Sequence, residues 1–180
     1  EVNVQHLASW DGSAWSGLGS STGGGIGGTV DAVAAFQGEV IAAGRFSVAG
    51  GVAVNNIARW DGASWHPLAE GLTGWDNTVR TLFVHDGYLL AGGPFSTAGT
   101  TQTTGLARWD GSSWTAFGQL ECGGVSAMTE YRGDLVVAGW SNKDIGQRLY
   151  IVRKTVEVHR SGLMHKMGAT NLPDLVRLSV

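Results

Sequence analysis

The chain has 180 residues, of which 43% are hydrophobic and 15% charged, with 29 Gly and 8 Trp. This apolar content suffices for one ordinary core or two small ones and argues against general disorder, while the Gly and Trp excess favours a turn-rich β-protein over a helical one. The net charge of -3 is uneven: residues 1–140 hold 5 Lys+Arg against 12 Asp+Glu, whereas residues 141–180 hold 7 against 3, so nucleic acid would be drawn to the second stretch only.

The N-terminal EVNVQHLASW has neither a basic region nor a hydrophobic stretch, and no apolar run is long enough to span a bilayer. No address and no membrane partner are therefore expected. The phrase LASWDGSAW at 7–15 returns as IARWDGASW at 57–65 and as LARWDGSSW at 106–114, which spaces Trp10, Trp60 and Trp109 by 50 and 49 residues. A second phrase recurs between them, beginning at Val30, Val79 and Val125. A fixed period of this size marks a repeat architecture before local propensities are weighed.

Each unit reads as four short strands. Gln37-Gly38, Asp86-Gly87 and Arg132-Gly133 separate apolar runs, where Gly supplies the positive φ of a tight hairpin turn. The Trp-Asp-Gly-x-x-Trp phrase makes a second turn whose flanking Trp side chains can pack across strands or between sheets. Gly44, Gly93 and Gly139 end the second strand of each unit, a place for a bulge or a close backbone approach. With two strands in residues 1–28, four in each complete unit and two after Val125, the expected total is 12.

These repeats resemble kelch-like, galactose-oxidase-like β-propeller blades, and the resemblance implies about three four-stranded blades over residues 1–140. Three blades leave open sheet edges and a flank of unburied Trp and Leu, so self-association or further blades are expected. The resemblance specifies a fold and not an activity.

Other motifs in this half read as structure. Asp11, Asp61 and Asp110 precede Gly and are expected to be turn residues and not a ring of metal ligands. GGGIGG at 23–28 lacks the Lys-Ser/Thr of a phosphate loop and precedes a strand, so it reads as a connector. The lone Cys122 excludes an internal disulfide and, beside Gly123 and Gly124, reads as a loop thiol. His66 and His85 recur in no other unit, and no carboxylate pair or metal cluster is evident. Neither an enzyme nor a cofactor is expected.

After Trp140 the FSxAG continuation fails and SNKDIGQRLYIVRKTVEVHRSGLMHKMGATNLPDLVRLSV follows, with an apolar period near four. Ser141 with Asp144 and Asn171 with Asp174 read as capping boxes, and Val156, His159, Leu163 and Met167 form one stripe. The expectation is three helices on a helix-turn-helix plan over 141–180. The fold class expected for the chain is thus mainly β with a C-terminal all-α segment.

SNKDIGQRL, KTVEVHRSGLMHKMGA and NLPDLVRLS resemble the DNA-binding domain of LuxR/FixJ-type transcription regulators, truncated so that the family's first helix has no clear counterpart. The resemblance implies double-stranded DNA as partner. It assigns Lys154 and Thr155 to backbone phosphates and Glu157, Val158, Ser161 and Gly162 to groove-facing positions, with His159 and Arg160 beside them. Val152 and Arg153 depart from the usual Ser and Pro, and Gly162 from a long basic residue. The first function expected is DNA binding and transcription regulation, with the β-repeats as scaffold or interaction module. The alternative is a protein- or glycan-binding module with an inert tail, joined near Trp140 by gene fusion. The halves imply different compartments, cytoplasmic for such a regulator and secreted or cell-surface for such repeats.

Overall fold

The structure, a computed structural model, describes residues 6–19, 24–74, 76–118 and 124–139. Sixteen strands run in order through these residues, all pairings being antiparallel. The first hairpin joins β1 (Ala8–Trp10) to β2 (Trp15–Gly17). A first large sheet orders β3 (Ile26–Phe36), β4 (Glu39–Ala49), β6 (Ile57–Trp60) and β7 (Trp65–Pro67), with β5 (Val52–Ala53) paired to the far end of β4. A second orders β9 (Thr81–His85), β10 (Tyr88–Gly92), β13 (Leu106–Trp109) and β14 (Trp114–Ala116). Three short strands, β8 (Leu72–Thr73), β11 (Thr97–Ala98) and β12 (Thr101–Gln102), form a small sheet, and β15 (Val125–Tyr131) pairs β16 (Asp134–Gly139).

The hairpins arise from local chemistry. The β3–β4, β9–β10 and β15–β16 turns have two central residues, both at positive φ: 50° and 82° at Gln37-Gly38, 49° and 79° at Asp86-Gly87, 53° and 84° at Arg132-Gly133. That is the turn whose twist matches the flanking strands. Gly44 and Gly93 serve a different need. A Cβ on Gly44 would stand 2.2 Å from the Thr29 carbonyl oxygen, and one on Gly93 2.2 Å from that of Thr78, so the backbones approach closely at both.

Two cores separate the layers. Alternation along β4 sends Ile41 and Ala43 to one face and Ala42 and Phe46 to the other. The first face packs with Leu89, Phe95, Ala107 and Trp114 of the second unit, all buried. The opposite face joins Ile26, Val54, Ala58 and Trp65, against which Leu7 and Leu18 of the first hairpin lie half-buried. Sheets thus stack face to face with side chains interdigitated between them. Asn56 adopts φ 63° and donates its side-chain amide to the Leu72 carbonyl at 2.7 Å, linking the first sheet to the small one.

Two expectations are corrected. The fold class with an all-α C-terminal segment does not stand: among the described residues there is no helix, and every regular element is a strand. The period near four that suggested three helices begins after residue 140, and residues 141–180 lie outside the described residues. The count of 12 strands is also too low. Gly44, expected to end the second strand of its unit, lies inside β4, which runs on to Ala49, and the FSVAGG and FSTAGT phrases after Gly44 and Gly93 carry extra pairing: Val48 with Ala53 and Ala49 with Val52 in the first unit, and Thr97 with Gln102 and Ala98 with Thr101 in the second. Short pairings of this kind depend on neighbouring chain and carry little apolar alternation of their own.

Candidate functional site

The Trp-Asp-Gly-x-x-Trp turn recurs with one geometry. Asp11 Oδ1 accepts from the backbone N–H of Ser13 and Ala14 at 2.8 Å each, Asp61 Oδ1 from Ala63 and Ser64 at 2.8 Å each, and Asp110 Oδ1 from Ser112 and Ser113 at 2.7 and 2.8 Å. Backbone donors favour the ionised form, so all three carboxyls are held below the ordinary carboxylate range. Ser64 and Ala63 are the largest causes at Asp61, Ser113 and Ser112 at Asp110. These carboxylates are occupied by their own turns. Among the described residues no group of three or more His, Cys, Asp or Glu is placed to hold a metal ion.

The flanking indoles pair in each turn, with ring centroids 5.5 Å apart for Trp10–Trp15, 5.5 Å for Trp60–Trp65 and 5.2 Å for Trp109–Trp114. Their surroundings differ sharply. Trp65 and Trp114 are 2% and 5% exposed, whereas Trp10 and Trp15 are 52% and 57% exposed, because nothing among the described residues packs on the outer side of the first hairpin.

Both histidines singled out in the sequence have partners that the repeat pattern did not reveal. His66 Nε2 lies 2.7 Å from Asp61 Oδ2 and 3.0 Å from Ser64 Oγ. Acid and hydroxyl address the same ring nitrogen, which is not the relay a nucleophilic serine requires, since the acid there holds the opposite nitrogen. The five-residue step from Asp61 to His66 across a hairpin turn was the available signal for this contact. His85 Nδ1 lies 3.0 Å from Glu130 Oε2 and its Nε2 3.5 Å from Asp86 Oδ2, tying β9 to β15. That pair is remote in sequence and belongs to the packing of two units, so no local pattern announces it.

A second polar cluster lies beside the first sheet. Arg45 reaches Asp76 and the Thr78 hydroxyl, the latter at 3.0 Å through Nη2, and Arg80 Nη2 lies 4.0 Å from the other Asp76 oxygen. Of the GGGIGG phrase read as a connector, Ile26, Gly27 and Gly28 belong instead to β3, where Gly28 lies opposite Phe46. Cys122 and the residues assigned to DNA, Lys154, Thr155, Glu157, Val158, His159, Arg160, Ser161 and Gly162, lie outside the described residues.

Residues 134–179 match the family model of bacterial regulatory proteins, luxR family. Over 45 residues the chain is 51% identical to the C4-dicarboxylate transport transcriptional regulatory protein DctR of Rhodobacter capsulatus, covering 25% of this chain and 23% of that protein. It is 53% identical over 45 residues to the transcriptional regulatory protein FixJ of Rhizobium meliloti (strain 1021), covering 25% and 22%. With the oxygen regulatory protein NreC of Staphylococcus aureus (strain JH9) it shares 37% over 46 residues, covering 26% and 21%. The chain thus spans under a quarter of the length of these curated relatives, and the likeness belongs to its last quarter.

The matched stretch begins inside the β-region. Asp134–Gly139 forms β16, with Leu135 opposite Glu130, Val136 opposite Thr129 and Val137 opposite Met128. The start of the match is therefore strand in this chain.

Proposed function

We propose that the chain is a non-enzymatic protein that binds double-stranded DNA through residues after 140, in the manner of transcription regulators, with the β-repeats as scaffold or interaction module. One observation carries this reading: KTVEVHRSGLMHKMGA stands within the stretch 134–179 that matches the luxR-family model. The charge division supports it, since the stretch holding that phrase has 7 basic residues against 3 acidic ones while the rest of the chain is acidic.

In this reading Lys154 and Thr155 hold phosphates and fix the register of the protein on the duplex. Glu157, Val158, Ser161 and Gly162 face base edges, with His159 and Arg160 beside them. A carboxylate such as Glu157 can accept from the cytosine amino group, and Val158 offers an apolar contact to a thymine methyl. The acidic β-region repels the backbone and leaves the segment after 140 as the contacting surface. Fluorescence anisotropy of the full chain with duplex DNA across a salt series tests the proposal. Neutralised phosphates release counterions, so log K falls linearly with log salt. A weak signal unchanged by salt refutes it.

A further inference from the structure

The two ends of the β-region are complementary halves of one repeated object. In the first sheet β4 pairs β6 with Val40 opposite Trp60, Ile41 opposite Arg59, Ala42 opposite Ala58 and Ala43 opposite Ile57. In the second, β10 pairs β13 in the same register, Leu89 opposite Trp109, Leu90 opposite Arg108, Ala91 opposite Ala107 and Gly92 opposite Leu106. An inner hairpin thus always meets an outer hairpin that carries the Trp-Asp-Gly-x-x-Trp turn. The β15–β16 hairpin is an inner half, and among the described residues β16 pairs only β15. The β1–β2 hairpin is an outer half, and among the described residues β1 pairs only β2.

We infer that two copies of this chain associate by pairing β16 of each with β1 of the other, so that every inner half acquires an outer half. The register repeated in both complete sheets places Leu135 opposite Trp10 of the second copy, Val136 opposite Ser9, Val137 opposite Ala8 and Ala138 opposite Leu7. Strand addition of this kind is driven by main-chain hydrogen bonds along two unpaired edges.

Three observations converge on a second copy as the occupant. Both halves reside on one chain, so the pairing is reciprocal and both edges are consumed by a two-fold arrangement. Trp10 is 52% exposed where its counterpart Trp109, flanked by β10, is 8% exposed, so pairing covers an indole that the single copy leaves in water. Leu135 and Val137 are half-buried where their counterparts Leu89 and Ala91 are fully buried. Two complete sheets from each copy and two composite ones give six sheets built on the same four-strand path, within the range of about four to eight that closes a ring.

The edges also provide a clean test. Leu18 N–H donates to the Leu7 carbonyl at 3.3 Å, so Leu7 directs its main-chain groups toward β2 and the next residue, Ala8, directs its N–H to the open edge. Proline is tolerated at such a position of an edge strand, so Ala8→Pro leaves the β1–β2 bonds in place and removes an intermolecular donor. Val137 stands where Ala91 meets Ala107, and Val137→Pro acts likewise on β16. Sedimentation and light scattering of the full 18.8-kDa chain should report a dimer, and each variant a monomer with unchanged far-UV dichroism. Amide exchange of the unaltered chain should slow at residues 6–10 and 134–139 as concentration rises through the dissociation constant. A monomer, an assembly larger than two, a dimer that survives Ala8→Pro, or exchange at those segments that ignores concentration overturns the inference.

Discussion

Trp114 donates its indole N–H to the Leu68 carbonyl at 3.3 Å, and one unit earlier Trp65 does the same to Leu18 at 3.4 Å. These two indoles are thus pinned by the unit before theirs, which makes Trp65 and Trp114 inter-unit rivets as well as partners for the first Trp of their turns.

Truncating these indoles should give different costs from identical sequence contexts. Trp114→Ala opens a cavity in the core between the two large sheets and is expected to destabilise by about 3–5 kcal/mol. Trp15→Ala removes a side chain that is 57% exposed and loses chiefly its contact with Trp10, about 1 kcal/mol. Urea unfolding of both variants checks the contrast, and equal costs would contradict it.

Glycine replacements separate two mechanisms. Gly87→Ala meets no heavy atom within 4 Å, so its cost is the backbone strain of φ +79°, about 1–2 kcal/mol. Gly93→Ala is not a positive-φ problem; its Cβ would lie 2.2 Å from the Thr78 carbonyl oxygen and force the two backbones apart. Its loss in a denaturant series should exceed that of Gly87→Ala.

Acid should weaken the β-region through its turns. The folded-state pKa values of Asp61 and Asp110 are lowered below their unfolded values by backbone donors, so the stability they contribute is fully present above the unfolded pKa and is lost as pH falls toward the folded one. Thermal unfolding temperature should therefore decline from about pH 4 downward. The double variant Asp61→Asn and Asp110→Asn should be less stable at neutral pH and should decline less over that window.

Much of the β-architecture was legible because its causes are local and occur in repeated copies. A Gly after a single positive-φ residue makes the hairpin, an Asp before Gly closes the next turn, and Trp at both ends of that turn face each other. Exposure was not legible: LASWDGSAW and LARWDGSSW read alike, yet Trp10 is half exposed and Trp109 buried, because burial is conferred by the strand alongside. The Arg45–Asp76 and His85–Glu130 contacts were hidden for a similar reason, joining residues brought together only by packing. Leu135–Gly139 could be aligned either to a regulator's first helix or to a repeat strand; the Arg132-Gly133 turn and the Tyr131–Asp134 pair place it in the strand. For the residues proposed to contact DNA, periodicity alone names a stripe and not a groove-facing set, so the assignment of Lys154 to Ser161 rests on phrase likeness.

Roles within that assignment have distinct signatures. Lys154→Ala should weaken binding about equally for every duplex and lower the salt slope by about one, while Glu157→Ala should change the preference among duplexes more than the slope. Competition titrations with duplexes differing at single base pairs distinguish the two.

The most direct measurement is the affinity of the full chain for duplex DNA, followed from low to moderate salt beside the Lys154→Ala variant. If the chain binds DNA through these residues, log K declines in a straight line with log salt for the unaltered chain and along a shallower, weaker line for the variant. Superimposable lines, or no binding at the lowest salt, would contradict it.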